Sequence, residues 1–308
     1  MASRNVPYFK LNTGASIPAI GLGCWGGVTK EDRYAARHWI LAALKAGYRH
    51  LDTAWAYGTE ESVGWAIKES GIPREEIFVT TKLPPHHGGI VEESLNQSLS
   101  ALKLDYVDLY LIHWPQRYVY EDNNPDPVDE NGNLKVTESP SIPEVWAQME
   151  KVFAAGKAKA IGVSNYSIKT LEILLPSAKV VPAMNQVELH PYLAQPELKA
   201  YCNSKGILMT AYTPTGYATV RNDPTITELA AKYGVNSAQI ILAWHVWRGN
   251  CAVPKSANPE HQKTNLILPK LSQEDLEKVS SLDRGQRLCN KGDEKGQVYG
   301  YTLEQLGW

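Results

Sequence analysis

A chain of 308 residues with 43% hydrophobic and 21% charged positions has a globular composition and enough length for one large domain or two ordinary ones. Lys and Arg number 31 against 33 Asp and Glu, a formal charge of −2, so no basic excess points to nucleic acid or an anionic membrane. No run of about 18 apolar residues occurs and Met1 to Asn5 lead into no apolar stretch, so neither a spanning helix nor a signal peptide is expected, and the chain reads as cytoplasmic.

The first predicted element is a hairpin. Tyr8 to Leu11 and Ser16 to Ala19 flank Asn12-Thr13-Gly14-Ala15, whose turn chemistry joins two short strands able to plug the bottom of a barrel. Eight apolar or β-branched runs then follow: Ile20 to Gly23, Tyr48 to Ala54, Ile77 to Leu83, Val107 to His113, Lys159 to Ser164, Pro182 to Leu189, Leu208 to Thr213 and Cys251 to Pro254. Between them apolar residues recur at helical spacing, as in Trp39, Ile40, Ala43 and Leu44, then Leu95, Leu99 and Leu102, then Leu171, Leu174 and Leu175. Gly47, Gly156, Gly206 and Gly234 each follow such a run, where glycine ends a helix at least cost. Ser94 and Ser98 are read as an exposed helical face. Strands this continuously apolar are buried on both faces by helices, so an α/β closed parallel barrel of the (β/α)8 TIM type is expected, although an open doubly wound sheet shares the pattern.

The whole chain, 1–308, is expected to form one such domain. Gln116 to Pro143 is too long and too rich in Pro, Asp, Asn and Gly for an ordinary connection. It follows the fourth strand on the face where barrel enzymes place their sites, and the C-terminal segment 283–308 is expected over the same face.

Gly21-Leu22-Gly23-Cys24-Trp25-Gly26 matches the dinucleotide fingerprint G-x-G-x-x-G, with Asp52 at the end of the next strand. A Rossmann site would start a helix inside the motif so that its N-terminus met pyrophosphate. Here Gly26-Gly27-Val28-Thr29 intervenes and Thr29 is the better N-cap for Lys30-Glu31-Asp32. Cys24, Cys202, Cys251 and Cys289 are dispersed, with no CxxC pair, and read as buried free thiols. Of eight histidines only His86 and His87 are adjacent, which is poor spacing for zinc, so no metal is expected.

Polar residues at the C-terminal ends of barrel strands are what a catalytic site looks like. Asp52 ends the second strand, Lys82 the third and His113 the fourth, and Tyr57 follows Asp52 closely enough to turn back over the mouth. Taken singly, a strand-end Asp caps a helix, a Lys snorkels, a Tyr packs and a lone His is structural. Together they make a proton donor. A phenol, with an unperturbed pKa of about 10, is a poor acid near neutrality, and an ammonium held by a carboxylate is expected to lower it.

These residues carry a resemblance. Gly47 to Ala54 with Tyr57, Thr80 to Leu83, Asp108 to Pro115, Ile161 to Asn165, Asn185 to Tyr192 and Val253 to Ser256 together resemble the aldo-keto reductases, NAD(P)H-dependent barrel oxidoreductases, over essentially the whole chain. The resemblance implies that Tyr57 is the general acid, Lys82 and Asp52 its tuning pair, and His113 the donor that orients the substrate carbonyl. It implies that Ser164, Asn165 and Gln186 hold the carboxamide of the cofactor and that Tyr212 stacks under its nicotinamide. Gly23, Asp52, Thr213 and Thr215 are placed along the cofactor as well. Lys255 and Ser256 match contacts to the 2′-phosphate and Asn265 the contact to adenine. The usual Arg is His261, so NADPH is expected with NADH also open, and the NADPH preference is expected to weaken as pH rises, because histidine loses its charge near neutrality.

Trp25 and Trp114 match the walls of a substrate pocket, with Tyr118, Tyr120 and Trp308 as further candidates. Pro84 stands where many relatives carry a bulky aromatic, which implies a more open pocket, and no Arg or Lys is identified as a carboxylate clamp. Thr213 to Arg221 is short, which implies easy cofactor release. The expected partner is a small carbonyl compound such as glyceraldehyde or an aldose, handled by a monomer. The alternative is a non-catalytic, cofactor-binding regulatory subunit of a membrane channel, since fold alone does not decide function.

Overall fold

The computed structural model describes residues 6–122 and 124–308. Met1 to Asn5, on which the signal-peptide expectation rests, lie outside the described residues. The chain opens with an antiparallel hairpin, β1 (Tyr8–Lys10) and β2 (Ser16–Pro18), with Phe9 opposite Ile17. Eight parallel strands then pair in sequence order: β3 (Leu22–Gly23), β4 (His50–Asp52), β5 (Phe78–Leu83), β6 (Leu109–Ile112), β7 (Ile161–Ser164), β8 (Met184–Glu188), β9 (Leu208–Tyr212) and β10 (Cys251–Ala252).

Apolar continuity alone leaves barrel and open sheet equivalent, and the first and last strands decide between them. Ile20 bridges Ala252 in parallel, Gly21 N–H donates to the Ala252 carbonyl at 2.9 Å, and Ala252 N–H donates to Ala19 at 2.8 Å. The sheet therefore closes into a (β/α)8 barrel. Inside its lower end, Leu11 and Ile17 of the hairpin region pack with Phe78, Leu109, Leu111 and Met184, which is the plug the turn residues predict.

The principal helices of the outer layer are α1 (Lys30–Ala46), α2 (Glu60–Ser70), α3 (Val91–Leu102), α4 (Ile142–Ala154), α5 (Ile168–Leu174), α6 (Pro196–Ser204), α7 (Tyr217–Arg221), α8 (Pro224–Tyr233), α9 (Ser237–Trp247), α10 (Pro259–Thr264) and α11 (Gln273–Ser280). Their ends follow local chemistry. The Thr29 hydroxyl accepts from Asp32 N–H at 3.0 Å to start α1, a cap worth about 1 kcal/mol. Gly47 ends it at φ 113°, a backbone that glycine adopts without a Cβ clash. Among the described residues no helix is long and apolar enough to cross a membrane.

Two expectations need correction. Ser94 and Ser98 are fully buried: Ser94 lies 2.9 Å from His87 Nδ1 and accepts from the Tyr110 hydroxyl at 3.4 Å, so a small hydroxyl with partners fits against the sheet at little cost. Cys289 is exposed, unlike the buried Cys24, Cys202 and Cys251. Gly21 of the glycine motif serves strand packing, because a Cβ there would stand 2.5 Å from the His50 ring.

Candidate active site

Three adjacent strands deliver the polar cluster. Asp52 is the last residue of β4, Lys82 lies in β5, and His113 follows β6, its N–H donating to the Leu83 carbonyl at 3.0 Å. Tyr57 closes a single 3-10 turn, Trp55–Tyr57, that bends the connection after β4 back toward the strand ends. Lys82 Nζ lies 2.6 Å from Asp52 Oδ1, donates to the Thr53 carbonyl at 2.8 Å, and reaches the Tyr57 hydroxyl at 3.5 Å. Gln186 Nε2 donates to the other carboxylate oxygen, Asp52 Oδ2, at 2.6 Å. A buried ion pair holds together only when its remaining valences are met in this way. The Tyr57 and His113 rings stand edge to face with centroids 5.6 Å apart.

Electrostatics assign protonation states. Burial lowers the Lys82 ammonium, but the charges of Asp52 and Tyr57 outweigh it and the net shift is upward, so the amine stays charged. Burial, reinforced by Lys82, holds His113 well below the ordinary imidazole range, so it is neutral at pH 7. Tyr57 departs from expectation. Desolvation raises its hydroxyl more than Lys82 lowers it, and Asp52 raises it further. The phenol therefore keeps its proton through neutrality, and the contribution of Lys82 is to oppose desolvation, not to make the resting phenol acidic.

A cavity of about 1140 Å³ opens over this cluster. Asp52, Tyr57 and His113 line it, with Gly23, Asn165, Gln186, Tyr212, Thr213, Thr215 and Lys255. Trp25, Pro84, Trp114 and Tyr118 line it too. Two carboxamides, a flat phenol ring, two hydroxyls and a cation thus line one cleft, the small set of placed polar groups that marks a ligand site. Lys82 and Ser164 lie behind the wall, and Ser256, His261 and Asn265 sit beyond it on the connection through α10. Tyr120 and Trp308 are not on the wall; the Trp308 ring backs Trp114, with centroids 5.9 Å apart.

Several of the expected cofactor contacts are already engaged with the protein. Ser164 Oγ donates to the Gln186 carbonyl at 2.8 Å. Asn165 sits at φ 65°, in the left-handed region that asparagine tolerates, and its Nδ2 donates to the His113 carbonyl at 2.9 Å. The Thr213 to Arg221 segment folds into the short α7, with Arg221 Nη1 donating to Thr215 Oγ1 at 3.1 Å.

Two residues escape the reading of the sequence. Glu188, fully buried, accepts the backbone N–H of Leu288 at 2.6 Å and of Cys289 at 2.9 Å, with His190 Nε2 at 3.1 Å. Burial pushes its carboxyl up, yet these donors outweigh burial and hold it below the usual range. Alternation along β8 puts Glu188 on the face of Gln186, a signal that could have found it. Asn290, whose Nδ2 donates to the Tyr212 hydroxyl at 2.6 Å, left no local signal.

The sequence profile described as the aldo/keto reductase family matches residues 19–284. A glycerol 2-dehydrogenase (NADP(+)) of Saccharomyces cerevisiae is 47% identical over 286 residues, covering 89% of this chain and 90% of the relative. The aldehyde reductase YPR1 of the same organism is 45% identical over 286 residues, with 89% and 90% covered. A solved aldose reductase of Schistosoma japonicum superimposes with a TM-score of 0.86 at 32% identity, over 92% of this chain and 94% of that one.

Proposed function

The chain belongs to the aldo/keto reductase family, and on that premise we propose an NADPH-dependent carbonyl reductase for small aldehydes and ketones that also runs the reverse oxidation of alcohols and polyols. The observation that carries this reading is the convergence of Tyr57, Lys82, Asp52 and His113 at one cavity. The named relatives, one of them an NADP(+) enzyme, support the cofactor and the reaction.

NADPH, when bound, supplies the hydride. Tyr57 holds its proton at the phenolic oxygen until the carbonyl oxygen begins to carry charge, and then delivers it. Positioned proton transfer of this kind contributes about 10²–10⁴-fold. His113, neutral, offers a hydrogen bond to the same oxygen without placing a second cation beside Lys82. Lys82 stabilises the phenolate as it forms, and Asp52 keeps the ammonium charged and in place. Asn165 and Gln186 are the amides offered to the carboxamide, with Ser164 bracing Gln186, and Tyr212 gives its ring face to the nicotinamide.

Lys255, Ser256 and His261 are assigned to the 2′-phosphate and Asn265 to adenine, so NADPH is preferred over NADH. Trp25 and Trp114 are assigned to the substrate. We further propose a monomer working in the cytoplasm, checked by light scattering and cell fractionation, with rapid cofactor release past the short Thr213–Arg221 segment. A slow cofactor isomerisation limiting turnover in stopped flow would count against that last point. The deciding experiment is NADPH consumption across a panel of aldehydes and ketones, including glyceraldehyde and aldoses. No turnover on any of them refutes the reading.

A further inference from the structure

Tyr212 is held from both sides. Its hydroxyl donates to Asn165 Oδ1 at 2.7 Å and accepts from Asn290 Nδ2 at 2.6 Å. Asn165 passes the linkage on, its Nδ2 donating to the His113 carbonyl at 2.9 Å and to Ser164 Oγ at 3.2 Å. A single directed chain of hydrogen bonds thus runs from Asn290, 78 residues away in sequence from Tyr212, through Asn165 to the backbone of His113. The direction matters. A phenol has one proton, and an amide nitrogen beside it can only donate, so Asn290 leaves the Tyr212 hydroxyl free to point its proton at Asn165.

The segment that carries Asn290 is itself fastened to the barrel. Glu188, at the end of β8, takes the N–H groups of Leu288 and Cys289, and Asn290 N–H lies 3.4 Å from Glu188 Oε2. These are backbone contacts and survive any change to the Asn290 side chain. The anchor and the donor are therefore separable: Glu188 fixes where the segment lies, and the Asn290 amide determines what Tyr212 does with its proton.

We propose that Asn290 is a positioning residue for the reduction: by donating to the Tyr212 hydroxyl it orients the Tyr212 ring and the Asn165 amide together, and so sets the surface against which the nicotinamide rests. The inference rests on the reading of Tyr212 and Asn165 as cofactor contacts. Asn290 lines the cavity beside Tyr212, and the role proposed for it runs through the Tyr212 hydroxyl.

The test is a set of variants in the full chain, with NADPH as the titrated ligand and an aldehyde as the substrate. Asn290→Ala is expected to raise the NADPH Kd and KM about three- to tenfold, the usual size of one lost buried hydrogen bond, and to lower kcat by a smaller factor. Asn290→Asp, nearly the same shape, is expected to be at least as damaging, because a carboxylate can only accept and so draws the hydrogen bond of the Tyr212 hydroxyl to itself and away from Asn165. In a Tyr212→Phe background, Asn290→Ala is expected to add nothing further to Kd, the signature of two residues acting as one unit. A mere docking role for the segment would give an Asn290→Asp variant with unchanged Kd, or effects that add in the double variant, and either result overturns the proposal. Wild-type protein that fails to bind NADPH removes the functional reading itself, whereas wild-type binding with additive effects removes only the role of Asn290.

Discussion

Lys82 Nζ stands 2.6 Å from Asp52 Oδ1, with the lysine side chain wholly removed from solvent and the aspartate nearly so. Two opposite charges brought this deep into a barrel must be judged as a pair. Removing one partner leaves the other desolvated and alone, which costs about 3–5 kcal/mol, whereas removing both is far milder. Asp52→Ala is expected to lower the unfolding free energy obtained from urea titration by that amount, and Asp52→Ala with Lys82→Met to recover much of it. A double variant as unstable as the sum of the two singles would contradict this account.

Tyr57 is expected to be needed for chemistry but not for cofactor binding. Tyr57→Phe removes one hydroxyl and leaves the ring edge against His113. Carbonyl reduction should fall by about 10²–10⁴-fold, the span of a positioned acid, with the NADPH Kd within about threefold of wild type. Titration of NADPH into the variant, followed by single-turnover kinetics, separates the two effects.

Acid should destabilise the fold through its buried imidazoles. Burial lowers His50 and, with the help of Lys82, His113. Burial and His86 bring His87 to about 4, and burial brings His245 to about 3. These groups are neutral in the folded protein and take up protons in the unfolded chain below about pH 6.5. The unfolded state then binds more protons, so stability is full above pH 6.5 and declines as pH falls toward the folded values. The limiting slope is about 1.4 kcal/mol per pH unit for each such group. Denaturant unfolding from pH 7.5 to 4.5 measures it, and a flat midpoint across that window would be incompatible with neutral buried imidazoles.

His261 on α10 is exposed and stands outside the cavity wall. With His261 assigned to the 2′-phosphate, His261→Ala is expected to raise the KM for NADPH by roughly threefold and to leave that for NADH unchanged, the size of one exposed contact. His261→Arg should widen the preference for NADPH over NADH. Equal effects of His261→Ala on the two cofactors would remove the assignment.

Much of the site was legible because the informative distances along the chain are short or the motifs are dense. Asp52, Lys82 and His113 stand out as polar residues ending apolar strands, and Tyr57 lies five residues beyond Asp52. What the residues do to one another was less legible. The expectation that Lys82 acidifies Tyr57 had the right sign for that one contact, but desolvation is a property of the whole surrounding shell, and it prevails. Ser94 and Ser98 were misplaced for a related reason: a hydroxyl looks exposed until His87 and Tyr110 are seen beside the first of them.

The sequence by itself determined the order of strands and helices and where α1 begins and ends, because the Thr29 cap and the Gly47 stop act over three or four residues and the strand pattern over two. Only the tertiary structure decided that the sheet closes between Ile20 and Ala252, that Gln186 meets Asp52 from 134 residues away, and that Glu188 and Asn290 bind the C-terminal segment to the mouth. Closure of the barrel brings distant side chains into contact and removes water from all of them at once. Contact and desolvation are then set by the enclosing shell, which no short window of sequence contains.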